Sequence, residues 1–241
     1  MVYGDHEGTN VMFLNVRESS STDPEPLWGS PEVSGDHLVF GPEGFAATAQ
    51  DPNGEVDLTD GTLAMTILAK PNAHIAEIHL TEAGDYTLAG NAGGPATFVH
   101  AAATVFVSIT HIDGLSVNPV NMAVPMVFAS TAPPNLGTNG KFVHGPDDGA
   151  GVIWQGNVDI NVDQLLVDRN IEGNATKVVF TMNNTLLALN EAGTVAFIKK
   201  KNAGTGISVV TSVPEPSSLV LAGLALAGLV GMVIRRRRKA G

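Results

Sequence analysis

An antiparallel β-sandwich is the fold class that three features of this 241-residue sequence predict. Some ten to twelve short runs are rich in β-branched and aromatic residues and alternate apolar with polar side chains, the period of a half-buried strand. Turn dipeptides such as Asn53-Gly54 and Asp113-Gly114 punctuate those runs at short intervals. The composition agrees: 27 Gly and 14 Pro with only 15% charged residues suit a turn-rich β protein better than a helical one. One short stretch alone, after Asp163, reads as helix. The sandwich is expected to be jelly-roll-like or immunoglobulin-like. No repeat and no linker divides it, so residues 1–212 are expected to form one domain.

Taken in order, Val11 to Val16 reads as the first strand. Ser19 to Pro31 follows as a polar, proline-rich connection over a sheet edge, with Trp28 packing on the core. His37 to Phe40 and Phe45 to Gln50 are short strands. Asn53-Gly54 and Asp60-Gly61 are expected to turn around a weak strand near Val56. Leu63 to Ala69 and Ala76 to Leu80 alternate cleanly. Glu82-Ala83-Gly84-Asp85 is expected to turn into Tyr86 to Ala89. Thr97 to Ile112 is long, with both faces fairly apolar, which predicts a central strand. In Met122 to Ala129, Pro125 points to an edge or a bulge. Pro133 to Gly151 is expected to be a long loop. Val152 to Gln155 and Val158 to Val162 resume the strands. Asp163 is expected to cap the helix Gln164 to Asn170, with Gly173 just beyond its end. Lys177 to Met182, Leu186 to Asn190, Val195 to Lys200 and Ile207 to Thr211 complete the set. Glu191 to Thr194 and Asn202 to Gly206 are expected to be hairpin loops.

The last stretch is of another kind. Val213-Pro214-Glu215-Pro216 stays extended, because two prolines fix φ and remove two backbone donors. An uncharged run from Ser217 to Ile234 follows, apolar on every face, which predicts a transmembrane helix. The cations Arg235, Arg236, Arg237, Arg238 and Lys239 then act as a stop that holds the C-terminus in the cytoplasm. Residues 213–241 are therefore expected to be a separate unit of an inner-membrane precursor, with residues 1–212 as its extracytoplasmic domain.

These three parts, in this order and at the end of the chain, resemble the PEP-CTERM sorting signal of Gram-negative bacteria. The resemblance covers about the last 28 residues only. It implies exosortase, a membrane-embedded cysteine transpeptidase, as a transient partner. It also implies cleavage near Pro214-Glu215-Pro216, then delivery to the envelope or extracellular matrix, often alongside exopolysaccharide. By the same resemblance Pro214, Glu215 and Pro216 form the sorting motif.

Charge and cysteine usage narrow the function. The formal net charge is −11, and removing the five cations Arg235–Lys239 leaves eight Lys and Arg against 24 Asp and Glu, or −16. Nucleic acid is not expected as a partner, since binding it needs cations that displace counterions. With no cysteine, thiol chemistry, cysteine-bound metal and disulfides are excluded, and stability must come from burial and strand pairing. Met1 to Ser20 has neither a basic n-region nor an apolar h-region, which sets up the expectation of a leader upstream of Met1 or of a processed N-terminus.

Motifs for catalysis fail one by one. Gly114-Leu115-Ser116-Val117-Asn118 ends in Asn where a nucleophile elbow needs Gly. Gly149-Ala150-Gly151 begins a dinucleotide fingerprint that breaks at Trp154. His74 and His79, at odd spacing on one strand, are expected on opposite faces. Asp159, Asn161 and Asp163 start like a calcium loop, but Gln164 replaces its glycine and Asn170 its final Glu, leaving only a weak surface Ca²⁺ candidate. Asp147-Asp148 has nothing to hold two carboxyl groups at a glycosidase separation. No cofactor and no catalytic residue is expected. The expected function is that of an exported structural or adhesive protein with a glycan or matrix partner. The alternatives are an extracellular glycan-acting enzyme, with its active residues on Ser19–Pro31 or Pro133–Gly151, and an uncleaved membrane-anchored protein.

Overall fold

A computed structural model describes residues 1–91, 96–130, 139–201 and 205–212. In chain order its strands are β1 (Val2–Glu7), β2 (Val11–Ser19), β3 (Glu32–Ser34), β4 (His37–Val39), β5 (Ala46–Ala49), β6 (Glu55–Ala69), β7 (His74–Gly90) and β8 (Phe98–Ile112). Then come β9 (Leu115–Pro125), β10 (Val127–Ser130), β11 (Lys141–Val143), β12 (Gly149–Asn161), the helix α1 (Val162–Asp168), β13 (Ala175–Asn190), β14 (Thr194–Lys200) and β15 (Gly206–Ser212). The first sheet runs β1-β2-β6-β13-β8-β11, with β9 also paired to β8. The second runs β10-β12-β7-β15-β4-β3, with β14 pairing both β7 and β5. Every pairing from β1–β2 to β8–β9 is antiparallel.

The two sheets share one core. Phe13, Ile67, Val107 and Phe180 from the first sheet join Ile78, Leu80, Tyr86 and Ile198 from the second in a single buried cluster. Burial of such side chains is worth roughly 1.5–3 kcal/mol each and is what holds a cysteine-free sandwich together. β8 lies between β13 and the β9–β11 edge, so its central placement follows its apolar faces. Trp28 is fully buried, as expected for a packing residue. Its connection is pinned by Glu18, whose two carboxylate oxygens each accept a backbone N–H, from Leu27 and from Trp28, at 2.8 Å.

Several expected turns are instead the middles of long strands. Asp60-Gly61 lies inside β6 and Glu82–Asp85 inside β7. Both glycines serve close approach. A Cβ on Gly61 would meet the Trp28 ring at 2.5 Å, and one on Gly84 would meet the Lys199 carbonyl at 2.0 Å and the Trp154 ring at 2.4 Å. The separate strands expected at Lys177 to Met182 and Leu186 to Asn190 are one, because β13 runs through from Ala175 to Asn190. Glu191–Thr194 is no hairpin: β13 and β14 belong to different sheets. Of the expected hairpin loop Asn202–Gly206, residues 202–204 lie outside the described residues; β14 and β15 on either side of it follow one another along β7, pairing with Gly84–Gly90 and His74–Thr81. Pro125 ends β9 in the first sheet, and β10 starts two residues later in the second. The expected loop Pro133–Gly151 contains β11 and the start of β12.

The helix also differs. Its cap is Asn161, whose side chain accepts the Gln164 N–H at 2.7 Å, while Asp163 sits in the first turn. Asn170, at φ 54°, takes the left-handed position after the helix end.

The expected C-terminal transmembrane helix, with the inner-membrane precursor and the cytoplasmic C-terminus built on it, is corrected. Among the described residues no helix is long and apolar enough to cross a membrane. α1 has seven residues, and a hydrocarbon core of ~30 Å takes about 20. The run Ser217–Ile234 that carried the expectation lies outside the described residues.

Candidate functional site

Pro214, Glu215, Pro216 and the cations Arg235–Lys239 also lie outside the described residues. β15 leads to them. Its last residue, Ser212, pairs with His74 at the start of β7, so the described chain ends at that end of the second sheet.

The outer face of that sheet carries a polar row. Ser208 of β15 stands opposite both His37 of β4 and His79 of β7, and Asp159 of β12 stands opposite His79 on the other side. Nδ1 of His79 is 2.6 Å from Oδ1 of Asp159, and its Nε2 is 3.0 Å from Oε2 of Glu77. Serine, histidine and aspartate in a row suggest an activated nucleophile. Here the second ring nitrogen is engaged by Glu77 rather than by Ser208, so the proton-accepting position is taken. The expectation for His74 is reversed. The register shift that pairs Val210 with Glu77 but Thr211 with Ile75 inserts an extra residue in β7. That bulge changes the phase of the alternation and places His74 on the same face as His79. The two do not meet: His74 Nε2 is 3.7 Å from Asp163 Oδ2.

The calcium candidates are likewise dispersed. Asp159 holds His79, Asn161 caps α1 and donates to Glu77 at 3.2 Å, and Asp163 faces His74. Among the described residues no group of three or more His, Asp or Glu is arranged to hold a metal ion. Asp147 and Asp148 serve their own turn. Asp147 accepts the Val143 N–H at 2.7 Å, and Asp148 accepts the Gly145 N–H at 2.9 Å and lies 2.5 Å from His144 Nδ1. On the Ser19–Pro31 connection, Asp60 gathers Ser20, Ser21 and Thr22. Hydrogen bonds, led by that of the Ser21 hydroxyl, hold its carboxyl down at about 2.

Sequence reasoning missed a cluster in the interior. Glu82 of β7 and Lys200 of β14 belong to the second sheet, and Asn184 of β13 to the first. Lys200 Nζ lies 2.6 Å from Glu82 Oε1, and Asn184 Nδ2 donates to the same oxygen at 2.5 Å. The three residues are 2%, 2% and 1% exposed, for Lys200, Glu82 and Asn184 in turn. Lys200 Nζ also stands 4.2 Å from the Phe45 ring centre and 5.0 Å from that of Trp28. Burial pushes the amine pKa down, against the pull of the Glu82 charge. The signal was present in the alternation. Glu82 continues the inward row Ile78, Leu80; Asn184 continues Phe180, Met182; Lys200 continues Ala196, Ile198.

Residues 212–238 match the PEP-CTERM protein-sorting motif. The chain thus carries a motif of this type near its C-terminus, consistent with recognition by exosortase. No curated protein matches the chain. Among solved structures it is similar to TmCBM61 in complex with beta-1,4-galactotriose, at 10% identity over 69% of this chain and 88% of that one, with a TM-score of 0.24. A native family 12 xyloglucanase from Bacillus licheniformis is 10% identical over 81% and 100%, with a TM-score of 0.19. A family 11 xylanase from Neocallimastix patriciarum is 8% identical over 66% and 99%, with a TM-score of 0.13. Likenesses at these scores carry no argument about function.

Proposed function

We propose that this protein is a non-enzymatic, structural or adhesive component of the cell surface or extracellular matrix, released to it through exosortase. The sorting motif at 212–238 is the observation that carries the reading, and it supports an exosortase-dependent surface or secreted role. The described domain suits such a part. Its polar outer face, the row His37, Ser208, His79 and Asp159, offers hydrogen-bonding groups to a hydrated polymer such as an exopolysaccharide. Both tryptophans are fully buried, so a sugar would be held there by hydrogen bonds rather than by indole stacking. The two carboxylates on His79 weigh against a hydrolytic use of that row.

The test is the intact mass of the surface-released protein from a host carrying exosortase. The expected product ends near Val213–Pro216. Replacing Pro214, Glu215 and Pro216 together by alanine should abolish that product and leave the unprocessed chain. A surface protein that still carries Arg235–Gly241 would overturn the sorting reading. For the outer face, His79→Ala with Asp159→Ala should lower retention of the processed protein on the host's exopolysaccharide. Equal retention would remove that face from the contact.

A further inference from the structure

The Glu82–Lys200–Asn184 cluster is an odd ion pair. A carboxylate in this dry place keeps one oxygen, Oε2, buried with no hydrogen-bond partner, and the Asn184 Oδ1 is buried without one as well. Unpaired acceptors of this kind are costly, most of all on a charged group. Moving one proton from Lys200 to Glu82 removes both charges, leaving a neutral amine beside a carboxylic acid. Burial away from water lowers the amine pKa and favours that neutral pair, against the attraction that the Phe45 and Trp28 ring faces hold for an ammonium. A neutral, desolvated lysine amine is a nucleophile, and a buried carboxylic acid is a proton donor. The group next to both is a carboxamide.

We propose that Lys200 and Asn184 form an intramolecular amide cross-link between the two sheets, with Glu82 as the catalytic proton-transfer group. Turning the Asn184 amide over exchanges two groups of nearly the same shape and brings Oδ1 to Glu82. The Glu82 acid then donates to that oxygen and polarises the carbonyl. Nζ of Lys200 attacks Cγ of Asn184 and the new C–N bond forms. A proton leaves Nζ through Glu82 and is delivered to Nδ2. The Cγ–Nδ2 bond breaks, ammonia departs, and Glu82 is left as it began. No oxidant, metal or cofactor enters the balance: one amine and one amide give one substituted amide and one ammonia. The bond would tie β13 to β14 across the Glu191–Thr194 crossover. It would give a cysteine-free exported domain a covalent brace that thiol reductants do not touch. This inference does not depend on how the tail is sorted.

The full chain is purified, denatured, weighed and digested. The expected mass is lower than the sequence mass by one ammonia, about 17 Da, as aminolysis of an amide requires. Peptide sequencing should find a branched species joining the segments that carry Asn184 and Lys200. Lys200→Arg, Asn184→Ala and Glu82→Ala should each restore the sequence mass and abolish the branched peptide. Linear wild-type peptides with intact Asn184 and free Lys200 would overturn the proposal, and that readout does not depend on whether any variant folds. Loss of ammonia without the branched peptide would also overturn it, since succinimide at Asn53-Gly54 or Asn139-Gly140 gives the same mass. A cross-link that survives Glu82→Ala would remove Glu82 from the chemistry.

Discussion

At the scale of single residues, buried or engaged carboxylates do most of the shaping. Glu18 pins Leu27 and Trp28, Asp36 accepts the backbone N–H groups of Asn10 and Val11 at 2.7 and 3.2 Å, and Asp60 gathers Ser20–Thr22. Each satisfies backbone donors that an irregular connection cannot pair with itself. Asp60 makes this measurable. Its folded carboxyl is held at about 2 against an ordinary 3.8, by the Ser21 hydroxyl first of all. A depressed carboxyl contributes stability that is present above 3.8 and lost as pH falls toward 2. Asp60→Asn should therefore lower the melting temperature at neutral pH and flatten its decline over that acid window. An acid profile unchanged by the substitution would show that the Ser20–Thr22 contacts contribute nothing.

At the scale of elements, β7 organises the second sheet. It pairs with β12 along one edge and with β15 and then β14 along the other. The Glu82–Asp85 stretch that reads as a turn must stay extended for this, and Gly84 is the reason it can. Gly84→Ala would drive a methyl into the Lys199 carbonyl and the Trp154 ring. Overpacking of this kind costs typically 1–3 kcal/mol, so the denaturation midpoint should fall accordingly. An unchanged midpoint would mean that the β7–β14 pairing gives way easily. Glycine in a strand and glycine in a turn are the same letter, so only a packed neighbour tells them apart.

For the whole molecule, the shared core has to supply what disulfides supply elsewhere. Val107, 2% exposed on the central strand β8, faces that core. Val107→Ala should cost roughly 1–3 kcal/mol in chemical denaturation, below larger Leu or Phe truncations because less is removed. Thiol reductant should leave the wild-type midpoint where it is. A reductant-sensitive midpoint, or amides of β8 that exchange like exposed loops, would contradict a single core centred on that strand.

Period-2 alternation from Leu63 to Ala69 determined strand identity and an inward face from the sequence alone, because a strand's side chains must alternate whatever it pairs with, and the two apolar faces of Thr97 to Ile112 determined its central place. The order Pro-Glu-Pro, apolar run and cations in turn determined the sorting motif, because that signal is local and linear. Pairing was not local. The sequence could not say that Glu191–Thr194 changes sheets, that a bulge in β7 turns His74 to the side of His79, or that Gly61 and Gly84 lie beneath indoles. Those depend on which strand arrives beside which. The same holds for the interior cluster. Glu82, Asn184 and Lys200 each sat in phase with an apolar row, but they lie 102, 118 and 16 positions apart in their three pairings. Only the closure of two sheets on one another put an amine, an amide and a carboxyl group within reach, out of water.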